Sequence, residues 1–210
     1  MTGVCLQVFS RPPVAGEVKT RLIPALAAQG AAALHEYLAE RVFAAVARTP
    51  AVVRELWIAG DSGHPWVAAA CGRHGFSVRQ QTGDDLGARM AHAATSAWAR
   101  QLMPIIVGTD CWLLDAAYLT DAVAALGAGS DVVLGPVEDG GYVLIGLRQP
   151  ALGLFADMTW SVPTVLADTL LRCAALRLRV RQLPTLWDVD RPEDVMRLRA
   201  LGVRWDVPAA

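Results

Sequence analysis

The chain has 210 residues, 54% apolar and 19% charged, with a formal net charge of −1. That length suits one α/β domain over 1–210 with a sizeable core, and the composition excludes a disordered or low-complexity chain. The charge gives no electrostatic case for nucleic acid or an anionic membrane, and no apolar run approaches the roughly 18 residues of a membrane span.

Short apolar runs alternate with helical patterns. The N-terminus MTGVCLQVFSRPP lacks the basic start and long apolar core of a signal peptide and reads as a strand over 4–9. Leu34, Leu38, Val42 and Val46 share one face at helical spacing, which predicts a helix over 31–46. A strand follows at 55–60, a helix at 64–74 and a short strand at 76–81. The segment 86–102 reads as a helix capped by Asp84 or Asp85. MPIIVG (103–108) is wholly apolar, as expected at the centre of a parallel sheet. The remaining elements are a helix at 115–126, strands at 131–135 and 142–147, a helix at 162–175, a strand at 178–183 and a helix at 192–201. This alternation predicts a three-layer α/β/α sandwich with a mostly parallel mixed sheet. Cys5, Cys71, Cys111 and Cys173 show no paired spacing, so we expect buried thiols in a reduced, cytoplasmic protein.

Ligands of such sheets bind past the carboxyl ends of the strands, and the loops there carry charge or glycine. SRPPVAGEVKTRLIP (10–24) places Lys19 and Arg21 before a helical segment, a way to hold phosphate. Val18 directly before Lys19 excludes a Walker A loop, and a solvated basic loop is the plain alternative. Asp110 ends the most apolar strand and reads either as a helix N-cap or as a ligand for magnesium or manganese. In WDVDRPED (187–194), Glu193 and Asp194 suit the first turn of a helix. Asp188 and Asp190 precede it, and either can supply a second metal carboxylate. GPVEDGGYVLIGL (135–147) sets Glu138-Asp139 and Gly140-Gly141 between two strands. A hairpin turn explains the glycines. A ligand loop explains them too, with backbone approaching a sugar or phosphate. Trp160, beside Ser161, is the best stacking candidate among seven tryptophans. The four histidines lack metal-ligand spacing, and GDSG (60–63) has no catalytic partners.

The ordered stretches SRPPVAGEVKTRL, QQTGDDLGARM, VGTDCWLL, DVVLGPVEDGGYVLIGL, MTWSVPTVL and LPTLWDVDRPEDVMRL cover about residues 4–201. Together they resemble the bacterial DUF2064 group of glycosyltransferase-A-like, nucleotide-diphospho-sugar transferase proteins. The group is similar to 2-phospholactate guanylyltransferases and molybdenum-cofactor nucleotidyltransferases. The chain departs from the pattern at Trp112, where Pro is usual, and at Val162, where Thr is common.

The resemblance implies a transferase that uses Mg²⁺ or Mn²⁺, with Asp110 and Asp190 as metal ligands and Lys19, Arg21 and Asp139 as catalytic residues. Gln81, Asp85 and Leu86 fall where related enzymes approach the nucleotide, and Gly140 and Gly141 fall beside the substrate. Arg11, Gly16, Thr109, Tyr142, Trp160 and Ser161 complete the expected binding set. The expected partners are a nucleotide or nucleotide sugar and a small acceptor. Glycosyl transfer leads, nucleotidyl transfer is the alternative, and a non-catalytic nucleotide-binding domain is the reading from another class. A homodimer stays open, as does the docking of the tail 202–210.

Overall fold

Seven strands form one sheet in a computed structural model that describes residues 3–51 and 53–206. They are β1 (Gly3–Ser10), β2 (Val53–Ile58), β3 (Ser77–Gln80), β4 (Leu102–Val107), β5 (Val132–Pro136), β6 (Tyr142–Leu147) and β7 (Val180–Gln182), in the order β3-β2-β1-β4-β6-β5-β7. β6 runs antiparallel to both β4 and β5, while the other pairings are parallel. The helices are α1 (Ile23–Arg48), α2 (Pro65–His74), α3 (Leu86–Trp98), α4 (Ala116–Gly127), α5 (Val165–Ala175) and α6 (Pro192–Ala200).

The period-2 alternation of strand side chains divides the core in two. Met103, Ile105 and Val107 of β4 pack under α1, α2 and α4, while Ile106 packs under α3 and α5. All six β4 residues are buried, and all four residues of the edge strand β3 are exposed. A third cluster joins α1 to α6 through Leu34, Leu38, Trp187 and Leu198. The three-layer mixed α/β architecture is therefore the one expected. Because β6 is antiparallel, its first residue, Tyr142, lies with the carboxyl ends of the parallel strands, where the loops gather.

Element ends differ from expectation for local reasons. α1 starts at Ile23, with a break at Ala27 (φ 56°) before the long apolar stripe. α3 stops at Trp98, because Gln101 takes a positive φ of 60° to turn the chain into β4. Pro163 disfavours helix at Val162, and α5 begins at Val165. Asp85, rather than Asp84, caps α3 through Ala88 N (2.7 Å), and Asp115 caps α4 through Tyr118 N (2.8 Å). Asp110 is thereby relieved of the capping role. Cys5, Cys111 and Cys173 are buried free thiols and Cys71 is half-buried. The tail returns to its own chain: Val203 is buried in the third cluster, and Arg199 lies over the Trp205 ring. Its last four positions, 207–210, lie outside the described residues.

Glu55 of β2 is fully buried and ties three strands together. Its carboxylate accepts from Gln7 Nε2 (3.1 Å), Trp57 Nε1 (3.1 Å) and Arg79 Nε (3.1 Å), and pairs with Arg100 (2.9 Å). Burial pushes its pKa up, but these donors more than offset that and hold it down at about 2. A folded-state value below the ordinary 4.5 stabilises the fold above pH 4.5, and that stability is lost as pH falls toward 2. Glu55→Gln should therefore cost about 3 kcal/mol at neutral pH. In urea titrations the gap from wild type should narrow with acidification.

Candidate functional site

Two cavities of about 670 and 710 Å³ adjoin at the carboxyl edge of the sheet. They share Phe9, Arg21, Asp110, Tyr142, Asp188 and Asp190 in their walls. The first opens between the ends of β1, β2 and β4 and the start of α3, and takes in Arg11, Lys19, Gln81 and Arg89. The second extends toward α5 and α6 and takes in Asp139, Gly141, Trp160 and Trp187.

Asp110 sits on the wall common to both. Lys19 Nζ lies 2.7 Å from its Oδ1 and also donates to the Val189 carbonyl at 2.6 Å. Lys19 is only 3% exposed, and its backbone is left-handed (φ 47°), a conformation that costs about 1 kcal/mol for a non-glycine residue. The pair of contacts offsets that strain. Burial alone would raise the Asp110 pKa, but Lys19, with His35 and Arg11, outweighs it and holds the carboxyl below its ordinary range. His35 is buried on α1, and its Nε2 meets the Arg11 carbonyl at 3.0 Å, which tethers the first loop to the helix. Burial lowers its pKa below the ordinary imidazole value, against the opposing pull of Asp110.

The four acids of 187–194 separate by role. Asp194 Oδ2 accepts from Asp190 N (3.0 Å) and Arg191 N (2.7 Å), a helix-start cap. Asp190 is ion-paired to Arg21. Glu193 is exposed. Asp188 pairs with no cation among the described residues. Burial first, then the charges of Asp139 and Asp110, push its pKa up to about 6. Asp188 is thus the acid near Asp110 with no cation of its own, while Asp190, the one that the resemblance favours, is paired to Arg21.

The loop 137–141 is a hairpin connection closed by Gly140 N to Val137 O (3.1 Å) and Val137 N to Gly141 O (3.1 Å). It also carries Asp139 into the second cavity, with Oδ1 held by Gly141 N at 2.8 Å. Gly140 (φ 89°) makes its close approach to the Pro163 carbonyl, which a Cβ would overlap, and not to open ligand space. Glu138, beside it, is clamped by Arg197 at 2.7 and 3.1 Å.

Of the remaining expected residues, Arg11, Gln81, Leu86 and Thr109 line the first cavity, and Ser161 lines both. Gln81 Nε2 donates to Trp57 O (3.0 Å) and Ser10 O (3.3 Å), which leaves its carbonyl oxygen for a ligand. Asp85 is spent as a cap, and Gly16 (φ 89°) lines neither cavity. Sequence reasoning does not single out Arg89 or His35, and it leaves Asp188 open beside Asp190 as the second carboxylate. Arg89 lies one turn after the Asp85 cap, so helical spacing from the cap was the signal that could have found it.

Among the described residues no three acidic, His or Cys side chains form a ready metal cage. Magnesium and manganese need none, since they take one or two carboxylates and complete their shells with water and substrate phosphate. Asp110 and Asp188 fit that pattern.

The fold is that of nucleotide-diphospho-sugar transferase-like α/β proteins. Residues 42–162 match the family described as "uncharacterized protein conserved in bacteria" (DUF2064), and the chain belongs to it. The crystal structure of a candidate nucleotide-diphospho-sugar transferase from Desulfovibrio desulfuricans G20 is similar at 28% identity and a TM-score of 0.82, over 90% of this chain and 82% of that one. CMP:2-keto-3-deoxy-manno-octonic acid synthetase complexed with CTP is similar at 14% identity and a TM-score of 0.57, over 95% and 98%. Rv0371c of Mycobacterium tuberculosis H37Rv in complex with manganese is similar at 19% identity and a TM-score of 0.58, over 94% and 98%. These last two speak for the fold alone. Curated protein sequences give no match.

A carboxyl whose folded-state pKa lies above its ordinary 3.8 weakens the fold where it is ionised. Asp188→Asn should thus stabilise the ligand-free protein by about 1–2 kcal/mol at pH 8, a figure reduced for its partly open setting. The gain should fade toward pH 4 in denaturant titrations, and equal stability at pH 8 would contradict this reading.

Proposed function

We propose that the chain is a transferase acting on a nucleotide-activated donor, and that it moves a glycosyl group from a nucleotide-diphospho-sugar to a small acceptor. The observation that carries this reading is the pair of adjoining cavities with carboxylates on their common wall. The relation to the Desulfovibrio protein supports a nucleotide-using transferase class, and the fold shared with a synthetase complexed with CTP is compatible with it.

The first cavity takes the nucleotide. Arg11, Arg21 and Arg89 supply charge for the phosphates, and the Gln81 carbonyl oxygen accepts from a base amino or imino group. Lys19 holds Asp110 in place. A divalent cation, bound by Asp110 and Asp188, would offset the charge of the diphosphate leaving group. In the second cavity Asp139 has one oxygen committed to Gly141 N and one free. The free oxygen takes the proton from an acceptor hydroxyl as that oxygen bonds to the sugar C1. The bond from C1 to the phosphate oxygen breaks, and the nucleoside diphosphate leaves.

Thermal shifts with nucleoside triphosphates and nucleotide sugars, each with Mg²⁺, Mn²⁺ or chelator, test the proposal. A ligand at 100 times its Kd adds about 2.7 kcal/mol, on the order of 5–10 °C for this chain length. A metal-dependent shift with a nucleotide sugar is expected, and one confined to a triphosphate would favour nucleotidyl transfer. Asp110→Asn should lose the shift, and some stability with it, since the buried Lys19 is left without its carboxylate. A shift of wild-type size in that variant would remove Asp110 from the site.

A further inference from the structure

The two cavities differ in charge. Arg11, Lys19, Arg21 and Arg89 face four carboxylates in the first. In the second, Asp110, Glu138, Asp139, Asp188, Asp190 and Asp194 face only Arg21 and Arg191. Pairing sharpens the contrast. Arg21 is engaged by Asp190, and Arg191 belongs to an exposed residue at the start of α6. Arg197 answers Glu138, backbone N–H groups answer Asp194, and Lys19 answers Asp110. Asp139 and Asp188 remain, both in the wall of the second cavity and neither paired to a cation among the described residues. A phosphate or carboxylate brought beside Asp139 would meet like charge, with the solvent-exposed Arg191 as the one cation of the lining not engaged in an ion pair among the described residues.

The facing wall is apolar. Phe9, Met90, Ile106, Ile145, Trp160 and Val165 line it. Trp160 is set by its packing: its Nε1 edge lies where a Cβ on Gly87 would come within 2.7 Å. A rigid indole on one side and carboxylates on the other suit a molecule with an apolar or sugar face and donor hydroxyls.

We propose that the second cavity receives a non-anionic, hydroxyl-bearing acceptor with an apolar face, and that it rejects phosphorylated acceptors. This rests on the transferase reading above and names its acceptor class. A phosphorylated acceptor is what nucleotidyl transfer would require, so the two versions of the chemistry part at this cavity.

The test uses the full chain and a matched pair, phenyl β-D-glucopyranoside and its 6-phosphate. Binding is measured by saturation-transfer NMR without nucleotide, so failure of the donor reading leaves this result interpretable. The neutral glycoside should bind at millimolar concentration, and the phosphate should bind at least about tenfold more weakly, as expected for roughly 1.4 kcal/mol of repulsion. Asp139→Arg should reverse that preference. Trp160→Leu should weaken the neutral probe while leaving the thermal shift with metal and nucleotide in place. The proposal is overturned if the phosphate binds as well as the neutral glycoside, if the neutral glycoside does not bind, or if Asp139→Arg leaves the preference unchanged.

Discussion

The contact between Lys19 and Asp110 is the tie on which the carboxyl edge of this sheet depends. It joins the loop after β1 to the loop after β4, and through the Val189 carbonyl it joins both to the segment entering α6. The backbone repeats the connection, since Val189 N donates to Asp110 O at 2.9 Å. A cation this buried is tolerated only when paired and hydrogen-bonded, and Asp110 with the Val189 carbonyl supplies both. The left-handed backbone at Lys19 is the local cost of aiming the side chain inward.

From that tie follows a division of labour among charges. Arg21 holds Asp190, Arg197 holds Glu138, and the start of α6 consumes Asp194. Asp139 and Asp188 are left on the wall of a cavity whose other face is apolar. The buried Glu55 has four strong donors and is stabilising, whereas Asp188 has no cation and is destabilising. A group that weakens the ligand-free fold yet faces a second carboxylate across a cleft is the kind of feature that binding a cation would relieve.

Much of the fold was legible because hydrophobic period and apolar run length report burial directly. The wholly buried β4 follows from MPIIV, and the long stripe of α1 follows from Leu34, Leu38 and Val42. Element ends were less legible. They turn on single residues such as Ala27 and Gln101, whose positive φ no side-chain chemistry announces. In the site, the loops were found by their charge, but the partners were not. Asp188 and Asp190 are equivalent in sequence, and only the approach of Arg21, from a loop 169 residues away, distinguishes them. Gly140 was read as room for a ligand. Its neighbour is Pro163, a contact between the hairpin and the loop before α5 that local spacing cannot reveal. The hairpin and ligand-loop readings of 135–147 proved compatible in geometry, since the same turn that joins β5 to β6 carries Asp139 into the second cavity.

Metal and diphosphate should meet at the wall that the two cavities share. A crystal structure of the chain grown with Mn²⁺ and a nucleoside diphosphate, with the metal located by anomalous scattering, tests this directly. One manganese peak is expected between the carboxylates of Asp110 and Asp188, with the phosphates reaching toward Arg11, Arg21 and Arg89. A metal held elsewhere, or a diphosphate lying in the acidic cavity beside Asp139 and Trp160, would contradict it.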